Sequence, residues 1–162
     1  MNLEIINRGK GRVPRRFLYW WAHELSTILQ RKRVRGFKNT QLLYLVFLSK
    51  TEAKKLNFKF RGKNYATDVL SFSPIEDNCL GELVFCPEIL AAQAKAHGLS
   101  QRHELGYMMI HRVLHLLGYE HEKGGAQAKK MYKLQDLVFA QLRGRHVPAD
   151  RNQRGSKKTN RS

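Results

Sequence analysis

The sequence has little of what marks a secreted or membrane protein. Its two cysteines, Cys79 and Cys86, are too few for a disulfide framework, and their spacing fits neither C-x-x-C nor a zinc ribbon. Reduced, partly buried thiols are expected. The opening MNLEIINRGK lacks a basic stretch followed by an apolar core, so it does not read as a signal peptide. The longest apolar run, Leu42 to Leu48, is far short of the roughly 18 residues that span a bilayer. These absences lead to the expectation of a soluble, cytoplasmic protein with no membrane partner.

Acidic residues are scarce as well. Only 13 Asp and Glu face 30 Lys and Arg, giving a net charge of +17 and a pI near 10.3. A field this positive favours polyanions, nucleic acid before acidic membrane. With 162 residues, 42% of them hydrophobic, the chain suffices for one domain with its own core but not comfortably for two. That domain is placed at residues 1–143. After Gly144 the apolar periodicity ends, and residues 144–162 read as a basic, disordered tail.

Leu3 to Asn7 reads as a short strand and Arg8 to Arg12, with two glycines, as a turn. From Pro14 to about Gln30, Phe17, Leu18, Trp21, Leu25, Ile28 and Leu29 recur at helical spacing, so FLYWW belongs to a core helix and not to a base-stacking surface. Gln41 to Leu48 is continuously apolar, as a central strand covered on both faces requires. Ser49 and Glu52 form a capping box for a short helix through Leu56, and the polar, basic stretch Asn57 to Tyr65 reads as an exposed loop. Thr67 to Phe72 and Gly81 to Phe85 read as strands separated by a turn at Pro74 to Asn78. Pro87 opens a helix that ends at Gly98, Ser100 caps the next, and Ala126 to about Leu142 reads as a last amphipathic helix.

The helix begun at Ser100 runs into HRVLHLLGYEH, which carries His111, His115 and His121. Residues four apart on a helix lie about 40° apart around its axis, so His111 and His115 can aim at one point. A continuing helix would carry His121 roughly 120° away from His115. Gly118 is placed to stop it, because glycine readily takes the left-handed conformation that ends helices. The chain can then fold back and bring His121 to the same point. Three neutral imidazoles with an open fourth position form a standard catalytic zinc arrangement. The remaining histidines, His23, His97, His103 and His146, have ordinary explanations, His97 as a cation near a helix C-terminus.

Zinc proteases built on H-x-x-x-H place Glu directly after the first histidine, as the base that takes a proton from water. Here that position is Arg112. A base must come from elsewhere, and a cation at this point suits a negatively charged substrate better than a peptide. RNA satisfies both the local site and the net charge.

HRVLHLLGYEH resembles the HGxLHLxGYDH signature of the YbeY family of metal-dependent endoribonucleases and rRNA maturation factors. LNFKFRGKNYATDVLSF, Leu56 to Phe72, and GELVF, Gly81 to Phe85, are similar to family motifs in the same order. The resemblance implies a zincin-like α+β fold in which a small mixed sheet of about four strands is flanked by helices, with the metal site on a core helix and the turn after it. It implies one Zn2+ per chain on His111, His115 and His121, and it places Arg61 on the family's functional arginine, in the loop before TDVLSF. An arginine fork there can bind phosphate through two hydrogen bonds and stabilise charge on its oxygens. Two positions depart from the pattern: Arg112 stands where the family commonly has glycine, and Glu120 where it has Asp. Arg112 either narrows the space near the metal or adds a phosphate contact. Glu120 is one methylene longer than Asp, which alters any hydrogen bond it makes to a ligand imidazole.

The function implied is that of a zinc-dependent, single-strand endoribonuclease in rRNA maturation, including the 16S rRNA 3′ end, and in ribosome quality control. Catalysis falls to Arg61, His111, His115 and His121, and the partners are rRNA, ribosomal subunits and also ribosomal proteins. Two other classes compete. A non-catalytic rRNA-binding assembly factor would hold a structural zinc, but such sites are usually closed by four protein ligands, not three. A metalloprotease would need a base that Arg112 does not supply.

Overall fold

The apolar run at 42–48 becomes β2 (Leu42–Phe47), an interior strand of a four-stranded sheet, in a computed structural model that describes residues 1–122 and 124–145. The tail expected at 144–162 lies outside the described residues from position 146 on. The other strands are β1 (Asn2–Asn7), β3 (Val69–Phe72) and β4 (Cys79–Phe85), in the order β1-β2-β4-β3. β1, β2 and β4 run parallel, and β3 is antiparallel to β4. The expected mixed four-stranded α+β sheet is thus present.

Alternation along β2 explains why its sequence is apolar throughout. Leu43, Leu45 and Phe47 face the larger core, whereas Val46 and Leu48 face a smaller one on the other side. Phe47 stacks on its register partner Phe85, with ring centroids 5.6 Å apart. The larger core holds α1 (Arg15–Arg31), α4 (Gln101–Leu116) and α5 (Gly125–Arg143), and Leu90 of α3 (Pro87–Ala96) joins it. The smaller core is roofed by α2 (Lys50–Arg61) through Leu56.

α2 corrects the expectation of an exposed loop over Asn57 to Tyr65. It begins at the expected capping box, where Ser49 Oγ accepts from the Glu52 N–H and Glu52 Oε2 accepts from the Ser49 N–H. It then continues five residues beyond Leu56, to Arg61. Lys and Arg are good helix formers, and Lys59 and Arg61 complement the dipole in the last turn. Asn57, the polar residue that suggested a break, is buried and donates Nδ2–H to the Tyr65 carbonyl at 2.8 Å. Gly62 ends the helix in the left-handed region at φ 67°.

The position of α4 is set by contact with α1. The Trp21 indole N–H donates to the Gly106 carbonyl at 3.1 Å, and a Cβ on Gly106 would stand 2.6 Å from the Trp21 ring. Only glycine allows this approach. At the start of α4, Ser100 caps as expected, accepting from the His103 N–H. His97 does more than sit at a helix end: its Nδ1 lies 3.0 Å from a carboxylate oxygen of Glu104, which is fully buried.

Candidate metal centre

α4 delivers His111 and His115 on one face, and the turn that ends it delivers His121. The chain stops at Gly118, with φ 85°, through two bonds: the Gly118 N–H donates to the His115 carbonyl at 2.9 Å, and the Tyr119 N–H to the Leu114 carbonyl at 3.0 Å. This is the Schellman pattern that a left-handed glycine permits. The returning chain brings all three rings together, with centroids 4.7 Å apart for His111 and His115, 5.1 Å for His111 and His121, and 4.9 Å for His115 and His121. One nitrogen from each ring lies within 4.8 Å of the other two. His121 also lies against the ring of Tyr132 on α5, 5.3 Å away.

The donor set fits a metal ion. His111 Nε2 and His115 Nε2 are 3.2 Å apart. A zinc with bonds of roughly 2.0–2.1 Å holds tetrahedral nitrogen ligands about 3.3 Å apart. His111 Nδ1 donates to Gln135 Oε1 at 2.7 Å, and the His115 ring donates to the Tyr119 backbone. With the protons placed so, the two Nε2 lone pairs face each other, and a cation between them relieves the repulsion. Burial holds both imidazoles below their ordinary pKa, His115 down to about 4, with neighbouring Arg112 adding to the effect. Both are therefore neutral near pH 7, the form that ligates metal.

Arg112, next to His111 on α4, is half-buried, and its Nε is buried with no hydrogen-bond partner among the described residues. Burial lowers its pKa; Asp68 opposes that shift, Arg61 reinforces it and Glu122 opposes it. Arg61 is therefore within electrostatic reach of Arg112, from the end of α2 and not from a loop as expected. Asp68 is held by its own chain, accepting from Thr67 Oγ1 at 2.9 Å and from the Val69 N–H at 2.8 Å. Its charge also acts on His111.

Two residues of this site escape sequence reasoning. Gln135 is fully buried and orients His111 from a different helix. A signal was present, since Gln135 is the one polar member of the buried stripe Met131, Gln135, Val138 and Leu142 on α5. Asp68 lies inside a strand-like stretch, where nothing in the spacing marks it.

The chain is similar to known proteins over most of its length. A family model described as Endoribonuclease YbeY matches residues 7–143. Endoribonuclease YbeY of Bdellovibrio bacteriovorus is 50% identical over 143 residues, covering 88% of this chain and 95% of the other. Its counterpart in Thermotoga neapolitana is 34% identical over 140 residues, covering 86% and 88%. A solution structure of a Thermotoga maritima protein aligns with a TM-score of 0.59 at 28% identity, over 92% of this chain and 99% of that one. The sheet, the three histidines and Gln135 all lie in the matched segment except for the first residues of β1, and the chain belongs to the Endoribonuclease YbeY family.

Proposed function

We propose that the protein is a zinc-dependent endoribonuclease that cuts single-stranded RNA. Its setting is rRNA maturation at the 16S rRNA 3′ end and ribosome quality control in the cytoplasm, with ribosomal subunits and ribosomal proteins as partners. The observation that carries this reading is an all-histidine ligand set with the Arg112 guanidinium acting on His111 and His115, and with Arg61 within electrostatic reach of Arg112. A peptide substrate gives such cations nothing to neutralise, whereas a phosphodiester carries the complementary charge. The net charge of +17 and the family's endoribonuclease description support the same substrate. No helix among the described residues is long and apolar enough to cross a membrane.

His111, His115 and His121 hold the ion, and Gln135 fixes the ring of His111. Zinc bound there supplies a Lewis acid for a phosphate oxygen and acidifies water toward neutrality. Arg61, at the exposed end of α2, donates to phosphate oxygens and stabilises the negative charge that grows on them. Arg112 stands partly desolvated beside His111, and the carboxylates of Asp68 and Glu122 offset only part of the cost of burying its charge.

The test uses purified, metal-loaded protein with a structured rRNA fragment and with casein, each with and without chelator. RNA cut only in the absence of chelator, with casein intact, is the expected result. A 2′,3′-cyclic phosphate on the product identifies the RNA 2′-hydroxyl as nucleophile. A His115→Ala variant that keeps both its zinc and its cleavage would refute the site, and metal analysis should return one zinc per chain.

A further inference from the structure

The end of α2 and the turn after it alternate rings with cations: Phe58, Lys59, Phe60, Arg61, Lys63 and Tyr65. The rings are not in the core. Phe58 is 59% exposed, Phe60 56% and Tyr65 55%, among the largest exposures of any apolar side chain described. Each of two rings has an ammonium alongside: Lys59 Nζ is 5.4 Å from the Phe60 centroid and Lys63 Nζ 5.9 Å from that of Tyr65. The segment is also fixed in place. Phe60 is braced edge-on against Phe72 at 4.9 Å, and buried Asn57 ties the backbone at Tyr65 to α2.

We propose that this segment is a stacking platform for single-stranded RNA, with Phe58 and Tyr65 receiving bases and Lys59 and Lys63 receiving the phosphates between them. The proposal rests on the RNA reading above and extends the site beyond the metal. Phe58 and Arg61 are three residues apart on one helix, so their side chains are neighbours on its surface. A base on Phe58 thereby leaves a phosphate within reach of Arg61, and Arg61 interacts with Arg112 beside His111.

Charge distinguishes RNA from a protein occupant. The centres of protein interfaces are depleted in lysine, whereas grooves for single strands combine exposed rings with lysine and arginine. The state of the strand follows from the same chemistry, because a base inside a duplex has both faces covered and cannot stack on a side chain. As a base arrives on Tyr65, the Lys63 ammonium transfers from the ring face to the phosphate.

The experiment measures binding of the full, metal-loaded chain, on ice and within a time in which a gel shows the strand intact, to a short labelled RNA and to an abasic oligonucleotide of equal length. Phe58→Ala/Tyr65→Ala should weaken binding of the base-bearing strand by roughly tenfold or more, on the scale of one or two stacked bases, and leave the abasic strand unaffected. Lys59→Gln/Lys63→Gln should weaken both strands and reduce the slope of log affinity against log salt by about 1.4. All four side chains are exposed, so unchanged melting temperatures are expected. If the aromatic variant binds base-bearing RNA like the wild type, the platform is overturned and the patch is left to a protein partner. If the wild type binds no RNA, the RNA reading itself fails and the platform with it.

Discussion

His111 Nδ1 lies 2.7 Å from Gln135 Oε1, across 24 residues of chain and from one helix to another. The bond assigns the His111 proton to Nδ1 and leaves Nε2 for a metal. Partners of this kind typically change metal affinity by about 10- to 100-fold. Gln135→Leu, close in size but unable to accept, should weaken zinc binding by that factor with little change in the stability of the metal-free protein. Competition against a chelator of known affinity, with thermal melts of the apo form, measures both.

Gly118→Ala should separate backbone strain from crowding. Among the described residues nothing lies within 4 Å of the Cβ it would carry, so the cost comes from φ 85°. A left-handed alanine costs about 1–2 kcal/mol. Urea unfolding should report a loss of that size, and zinc binding should fall further because His121 no longer returns to the other two rings. Gly118→Asn should recover part of both losses, since asparagine tolerates this region.

The metal-free protein should lose stability in acid over a defined window. Burial sets the folded pKa of His111 and His115 below the unfolded value, and His115 reaches about 4. The unfolded chain therefore binds more protons between the two values, and stability falls as pH drops from about 6.5 toward 4. Above about 6.5 these groups contribute no slope. Denaturant midpoints taken across this range in the presence of chelator should be flat near neutrality and fall below it, and a midpoint that rises on acidification would contradict the burial of these rings.

Gly106→Ala should be more damaging than its size suggests. The added methyl meets Trp21 Cε2 and Cζ2 at 2.6 Å, and the indole cannot retreat without breaking its bond to the Gly106 carbonyl. Overpacking of this kind costs about 1–3 kcal/mol. A lower melting temperature is expected, together with weaker zinc binding, because the helix displaced is the one that carries two ligands.

The parts of the site legible in the sequence are those that depend on local geometry. His111, His115, Gly118 and His121 lie within one helix and one turn, where spacing alone determines direction. The sheet was legible for a similar reason: the continuous apolar run in β2 permits few other roles. What escaped depends on contacts between distant segments. Gln135 gains its role only when α5 packs on α4, and Asp68 only when β3 comes beside the end of α4. The helical residues Asn57 to Arg61 were misread because their polarity resembles that of a loop, and only the buried bond from Asn57 to Tyr65 gives that polarity a structural use.

The division of the centre between a contiguous ligand stretch and a distant glutamine bears on the order in which the protein is built. During synthesis the three imidazoles emerge before α5 exists, so a growing chain presents ligands early and can exchange ions freely. An ion held by the three rings would be retained tightly only once the last helix docks and Gln135 fixes His111. Metal occupancy would then report completed folding, and a chain ending before α5 would keep all three histidines yet release an ion readily to a chelator.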